Sequence, residues 1–489
     1  MTSPVPSRAA AQSRPPGSAL SMAPLLGLML LALPLVGFAR SLWLGEPSPA
    51  LLPVLASLVQ GTALIALRRG PSRALGTARI GFHLGMAAFF LSYPILSPST
   101  AAPDVPAPVR DTADLALLLT ILGFELAYGS FGTIRMRGEQ SPISLSPRIV
   151  RGLMILEFIG LGAWFLTVLD YALSWQVPVF SVLLTMRGRI EGAVDDAATF
   201  LGYGQFLLGS GIFLASAASA ILLCSGWKMP RGRQLIAWAI LGACAAVGFL
   251  RGSRALFLYS VVPLGVTLWT VIAPRARSLA RSTVVTAGVT CVVLAWGAMS
   301  AMRGADVRDY EGGWEEMTPA YHVEGAFNVY AALVEVIEAF PRTFPYEHGR
   351  SLVPLILGWV PRPLWPDKPY PFSLFATYIR GQTLEHRDAS IAVGLTGEGY
   401  GNFGLAGAFL WGALLGAACA GGDGAVARAR TLPALRLQLA GINAVWAAMI
   451  VRGGVPEMFY MGLGVAVGPL VLAYFVSRWT RRLGWVEIR

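Results

Sequence analysis

The chain has 489 residues, of which 55% are hydrophobic and 13% charged, and its mean hydropathy is +0.59. A soluble domain carries about 25% charged residues, so this composition excludes one and indicates a multi-pass membrane protein. The formal charge of +11 does not indicate nucleic-acid binding. Its arginines lie in connections and at helix ends, where membrane orientation and lipid headgroups explain them.

Apolar segments of roughly 20 residues, the length that crosses a bilayer, recur along almost the whole chain. They predict an all-α fold, a bundle of about twelve transmembrane helices with one large outer loop. The predicted spans are 23–43, 50–67, 79–97, 113–134, 150–173, 200–224, 234–250, 255–273, 283–302, 402–420, 435–451 and 457–476.

The hydrophilic segments complete this organisation. Residues 1–22, rich in Ala, Ser and Pro, are predicted to form a disordered tail. Spans one to nine then occupy 23–302, the large loop 303–401, spans ten to twelve 402–476, and a second tail 477–489.

Arginine-rich connections follow every second predicted span, from the second to the twelfth. The positive-inside rule assigns such connections to the cytoplasm. We therefore expect both termini in the cytoplasm and the loop 303–401 on the outer side of the membrane. Within that loop, residues 323–340 predict an amphipathic helix that lies on the bilayer or caps the bundle. Its polar face carries Glu324, Asn328, Glu335 and Glu338.

Two outward turns carry arginines that topology does not require. Arg251 and Arg254 flank the turn before span eight, and Ser253 is a plausible N-cap of that helix. Two guanidinium groups beside a helix N-terminus suit a phosphate or diphosphate. The alternative is that both side chains snorkel to lipid phosphates. Arg452, in the turn before the last span, either joins this anion site or pairs with Glu457.

The outer loop contains the segment 360–369, which has four prolines. Prolines fix an extended backbone, and this one presents Arg362, Asp367 and Lys368 in set directions. Trp365 offers a flat face suited to a sugar ring or to the membrane interface. A structural proline-rich corner is the alternative.

The glycine-rich segment 397–404 leads into span ten. Glycines permit close backbone approach to a ligand, and Glu398, Tyr400 and Asn402 would then line the mouth of the bundle. The alternative is a glycine-rich start of a packed helix.

Acidic residues inside spans are costly and need a partner or a cavity. Glu125 and Glu157 are predicted to be buried acids of this kind, and each could have either a structural or a catalytic role. Asp170 lies near the outer end of span five. His83, near a cytoplasmic helix end, is interpreted as structural. The sequence contains no metal-ligand spacing, and no metal or other cofactor is expected.

The segments 360–369 and 397–404, with the turn Gly252-Ser253-Arg254 before a helix, resemble the Wzy-type O-antigen polymerases, also called oligosaccharide repeat-unit polymerases. The run Pro-Arg-x-x-Trp-Pro-Asp-Lys-Pro is the most specific part. The motifs cover some 25 residues, and the rest of the chain resembles the family only in its topology.

The resemblance implies a membrane glycosyltransferase with a GT-C-like bundle at the periplasmic face of the bacterial inner membrane. An acceptor sugar hydroxyl would attack the anomeric carbon of a glycan on undecaprenyl pyrophosphate, and the lipid diphosphate would leave. Arg251, Arg254 and Arg452 would hold the diphosphate. Glu398 is the first candidate for the general base, followed by His386 and His322. Expected partners are lipid-linked glycans and membrane lipids, with a chain-length regulator and a flippase left open.

Two rival functions remain at this point. An O-antigen ligase would share the fold, the arginines and the leaving group but pass the glycan to a lipid core. A flippase or transporter of lipid-linked sugars would need charged residues along a central pathway and often inverted halves. The sequence carries few charges in its spans and concentrates its polar residues in one outer loop, which favours an enzyme.

Overall fold

The computed structural model describes residues 78–91, 106–137, 145–174, 211–250, 254–272, 329–353, 392–429, 432–455 and 468–482, with isolated residues between them. This part is helical and contains no strand. The helices are α1 (Ala78–Gly85, continued by a π-helical turn Met86–Leu91), α2 (Ala107–Arg137), α3 (Pro147–Ser174), α4 (Gly211–Cys224), α5 (Arg231–Leu250), α6 (Arg254–Ile272), α7 (Val329–Ala339), α8 (Gly394–Arg428), α9 (Pro433–Gly453) and α10 (Gly468–Arg482).

Five of these helices, α2, α3, α5, α8 and α9, are long and apolar enough to cross a membrane. They coincide with predicted spans four, five, seven, ten and eleven, as expected of a multi-pass helical membrane protein. The shorter apolar helices α4 and α6 lie within spans six and eight. Predicted spans 23–43, 50–67 and 283–302 lie outside the described residues, so the number of twelve stays a prediction.

Glycines bring the central helices into backbone contact. A Cβ on Gly81 or Gly85 of α1 would collide with the backbone of Ala444 or Ala448 in α9. Gly412 of α8 meets the backbone of α2 in the same way. Without a hydrophobic drive between helices in lipid, small residues that permit this approach are the usual means of association.

Helix α8 begins at Gly394, eight residues before the predicted start of span ten, and it bends sharply. Phe403 and Gly404 leave the helical conformation, and Gly404 has a φ of 63°. A Cβ on Gly399 would lie 2.7 Å from the carbonyl oxygen of Gly407, although residues eight apart in a straight helix are separated by about 12 Å. The short segment 394–402 therefore folds back on 405–428, which alone has the length of a span.

The predicted amphipathic helix is present as α7, and residues 323–328 lie outside the described part. It packs on α8 and α2 and so caps the bundle. Tyr330, Leu333 and Ile337 are buried, whereas Glu338 is exposed. Its buried face supports one end of the bundle, where the segment 394–402 also lies.

The two ends of the bundle contain different segments and different polar side chains. The Glu398 end comprises the segment 394–402, residues 346–351 and the end of α9 at Gly453–Val455. The other end, named here the Arg79 end, contains Arg79, His83, Glu125 and Asp423 and the pair of Glu157 with Arg233. Along α8, Asp423 lies about 28 Å beyond the bend.

Candidate functional site

Glu398 binds the connection that follows α9. The backbone N–H of Val455 donates to Oε2 of Glu398 over 2.7 Å, and the glutamate is 2% exposed. Gly454, with a φ of 98°, brings this connection so close that a Cβ there would overlap the same carboxylate oxygen. The acid expected as general base thus also joins α8 to α9.

Asn402 fastens residues 346–351, named here the clip, to the bend of α8. Its Nδ2 donates to the Ser351 hydroxyl over 2.8 Å and to the Glu398 carbonyl over 2.8 Å. Its Oδ1 accepts from the backbone N–H of Gly349 over 2.9 Å and from the Ser351 hydroxyl over 3.1 Å. Asn402 is fully buried, so its amide is engaged within the protein and not directed at the bundle mouth.

The clip adds backbone bonds to this attachment. The N–H groups of Glu347 and His348 donate to the carbonyls of Gly401 and Asn402, each over 3.0 Å. Because these carbonyls end the short helical segment 394–402, they have no intrahelical partner. His348 and Gly349 both adopt positive φ, 47° and 85°. The clip is therefore a tight, left-handed turn that caps the bend.

Tyr400 belongs to a buried aromatic layer under the clip. It is 6% exposed, and its ring lies 6.0 Å from the Tyr346 ring in an edge-to-face arrangement. The Tyr346 ring in turn lies 6.3 Å from that of Phe340. Tyr400 is thus part of the support of the clip.

Arg452 lies at the Glu398 end, in the last turn of α9, and is half-buried. Its guanidinium carbon is 6.0 Å from the centre of the Phe89 ring, within cation–π range. The structure thus brings Glu398, Tyr400, Asn402 and Arg452 to one end of the bundle. Glu457, the alternative ion-pair partner of Arg452, lies outside the described residues.

The remaining predicted site residues are only partly described. Arg254 begins α6, but nothing is described of its side chain, and Trp365 is half-buried while Asp367 is exposed. The other members lie outside the described residues: Arg251, Arg362, Lys368, His386 and His322.

The clip residues Tyr346, His348 and Ser351 escaped the sequence analysis. The only local signal was the pair His348-Gly349, since glycine marks turns. Nothing in the spacing connects Ser351 with Asn402, which lie 51 positions apart. Their contact depends on the bend at Gly404.

The acids Glu125 and Glu157, for which the sequence left a structural and a catalytic role open, each pair with basic residues at the Arg79 end. Glu125 accepts from Arg79 and contacts His83 Nε2 at 2.9 Å. Glu157, fully buried, forms an ion pair with Arg233 and accepts from the Ser219 hydroxyl over 2.6 Å. These contacts bind neighbouring helices together, which favours the structural part for both acids.

Asp423 completes the Arg79 end. It accepts from the first backbone N–H of α1 at Ala78 over 2.8 Å and from the Tyr128 hydroxyl over 2.6 Å. A carboxylate at a helix N-terminus is favourably placed against the helix dipole. Asp423 therefore ties α1 and α2 to α8. Among the described residues, no three His, Cys, Asp or Glu side chains are grouped to hold a metal ion.

Comparison with known proteins finds no protein-family model, no curated protein and no solved structure that matches this chain.

Proposed function

We propose that the protein is a membrane glycosyltransferase that joins undecaprenyl-pyrophosphate-linked repeat units into a bacterial surface polysaccharide. The observation that carries the proposal is the gathering of Glu398, Arg452 and the clip at one end of the bundle. This is the end at which the segment 397–404, one of the motifs of the polymerase resemblance, folds back. The Arg79 end offers paired charges that hold helices.

The distribution of basic residues supports an outward orientation of the Glu398 end. Arg148, Arg151, Arg231 and Arg428 lie at the ends of α3, α5 and α8 away from it. Basic residues favour the cytoplasmic side. In this proposal the protein lies in the inner membrane with its site facing the periplasm, where it meets the lipid-linked units.

The proposed reaction exchanges one bond for another at the anomeric carbon. The acceptor hydroxyl oxygen bonds to that carbon, the bond to the diphosphate oxygen breaks, and the hydroxyl proton passes to a base. Arg452, with the predicted Arg251 and Arg254, would stabilise the charge on the departing diphosphate. Glu398 would accept the proton, in addition to its bond to Val455.

The proposal is tested by the lipid-linked glycans that accumulate when the gene is deleted. A polymerase predicts single repeat units on undecaprenyl pyrophosphate at the periplasmic face, measured by mass spectrometry of extracted lipids. Finished chains that stay on the lipid would instead indicate a ligase, and units retained on the cytoplasmic side a flippase. Either result would overturn the proposal.

A further inference from the structure

Three rings form a partly exposed border at the Glu398 end, named here the aromatic rim: Tyr346, His348 and Phe403. The His348 ring lies 6.4 Å from that of Tyr346 and 6.1 Å from that of Phe403. Phe403 is 37% exposed and His348 is exposed, whereas Tyr346 is half-buried. The rim is therefore packed against the protein at Tyr346 and open to its surroundings at His348 and Phe403.

Several independent contacts hold the rim in place. Phe403 lies at the bend of α8, and its ring packs 5.8 Å from that of Trp411. The clip brings Gly349 so near that a Cβ there would lie 3.5 Å from the Phe403 ring. On the Tyr346 side, a Cβ on Gly404 would lie 3.0 Å from the tyrosine hydroxyl oxygen.

His348 has a positive φ, which is uncommon for a residue other than glycine. Its φ of 47° is in the left-handed region, which costs free energy for a residue other than glycine, although histidine is found there more often than most. The bonds of the clip to Gly401 and Asn402 maintain this conformation. As a result the imidazole projects outward beside Phe403.

The charged neighbours of the rim indicate an aqueous surface. Arg342, four residues before the clip, and Arg350, within the clip, are both exposed. Exposed arginines are unfavourable in hydrocarbon, and two of them this close to the rim along the chain suit a ligand that combines a flat face with negative charge. A sugar ring has apolar C–H faces that pack on aromatic rings, and its lipid diphosphate supplies the negative charge.

We propose that the aromatic rim is a sugar-binding subsite for the first sugar of the lipid-linked glycan, with Asn402 as the positioning residue that holds it through the clip. This inference rests on the proposed function, because it assigns a part to the same site. It assigns a role to Tyr346 and His348, which lie outside the motifs of the resemblance, and to Phe403, which lies within the segment 397–404 but had no role of its own.

The test uses the full chain in lipid nanodiscs and the lipid-linked repeat unit extracted from the deletion strain. Phe403→Leu removes the ring and keeps an apolar side chain. His348→Asn removes the imidazole, and asparagine tolerates positive φ. Each change should raise KM about three- to tenfold and leave kcat within about twofold, since one aromatic contact contributes that much.

Matched variants distinguish a binding role from a structural one. Phe165→Leu removes a ring of α3 that is 46% exposed and should leave KM unchanged. Phe403→Trp keeps an aromatic face and should retain a near-normal KM. The thermal midpoints of all four variants show whether a variant has simply lost its fold.

Unchanged KM in folded Phe403→Leu and His348→Asn would overturn the subsite. A fall in kcat and stability without a change in KM would do the same. Direct binding of the same lipid-linked unit to nanodiscs separates this inference from the proposed function. If both rim variants bind the unit more weakly than the unmodified protein, but the unmodified protein does not polymerise it, the sugar-binding subsite stands and the proposed polymerase function is rejected.

Discussion

The Arg79 end and the Glu398 end are held together by different interactions. At the Arg79 end, charged side chains from different helices meet: Arg79 with Glu125, and Arg233 with Glu157. At the Glu398 end, side chains bind backbone groups of bent or left-handed segments, as Glu398 binds Val455 and Asn402 binds Gly349. The first arrangement fixes helices against one another. The second shapes a surface that presents exposed groups.

This difference explains why the acids of the chain should not be treated alike. Glu157 is fully buried and paired with a cation, so its loss should affect the fold. Glu398 is almost as buried, but its carboxylate is bound by a neutral backbone N–H. An uncharged amide oxygen is able to accept the same bond. Substitutions can therefore separate charge from structure at Glu398 but not at Glu157.

The largest expected effect is the loss of stability on Glu157→Ala. It leaves the half-buried Arg233, whose side chain is 14% exposed, without its acid; breaking a fully buried pair costs about 3–5 kcal/mol, and we expect a loss of up to that size. Chemical denaturation in detergent measures the free energy of unfolding. The double variant Glu157→Met with Arg233→Met removes both charges and should be clearly more stable than Glu157→Ala. Equal stability of the two would contradict a role of charge pairing at the Arg79 end.

The next effect concerns activity at the Glu398 end. Glu398→Gln keeps an oxygen acceptor for Val455, so the thermal midpoint should hardly change. Loss of a general base should lower kcat about 100-fold or more. Glu398→Ala should lower both quantities. His386→Gln serves as the control and should have a much smaller effect on the rate.

A Glu398→Gln protein with full activity would remove the assignment of Glu398 as base. In that case Glu398 would contribute to structure, through contacts such as its bond to Val455. Normal activity in Glu398→Gln together with instability in Glu398→Ala would identify a purely structural residue.

A smaller effect is expected where Asn402 holds the clip. Asn402→Ala removes the acceptor of the Gly349 N–H and should cost about 1–3 kcal/mol. Ser351→Ala keeps the bonds of Asn402 to Gly349 and to the Glu398 carbonyl, so it should cost less. Hydrogen exchange of residues 347–349 should accelerate in Asn402→Ala. Unaltered exchange would contradict the attachment of the clip through this amide.

The smallest effect is a pH dependence at α7. Burial, and next the neighbouring Asp114, raise the pKa of Tyr330, whose hydroxyl donates to Asp114 Oδ1 over 3.0 Å. Because the folded protein then holds this proton more tightly than the unfolded chain, stability should fall as the pH rises above about 10. Tyr330→Phe should show a shallower fall in alkaline thermal unfolding. Parallel alkaline curves for the two proteins would contradict this cause.

Much of the helical plan could be predicted from the sequence. Long apolar runs bounded by proline or arginine predicted α2, α3, α5 and α9. Except at the start of α2, the predicted and observed ends differ by no more than a few residues. The start of α8 was predicted too late, because the polar residues of 394–401 suggested a loop. Their burial depends on the fold-back at Gly404 and on contacts with Phe372 and Val455.

The candidate site was less predictable. The place of Glu398 before an apolar run predicted a position at the end of a helix, and that it lines the mouth of the bundle stays a prediction; its bond to Val455 depends on Gly454. Asn402 was expected to face a ligand, and its partners instead come from a turn some 50 positions earlier. Contacts of this kind are set by tertiary folding, to which local pattern gives no access.

The orientation of the two ends is tested most directly by cysteine labelling in intact cells. In a background without the four native cysteines, Arg350→Cys reports the clip and Arg231→Cys reports the start of α5, two positions that are both exposed. A maleimide that cannot cross the inner membrane should label position 350 in intact cells and position 231 only after that membrane is permeabilised. The reverse pattern, or labelling of both positions in intact cells, would contradict a periplasmic site at the Glu398 end.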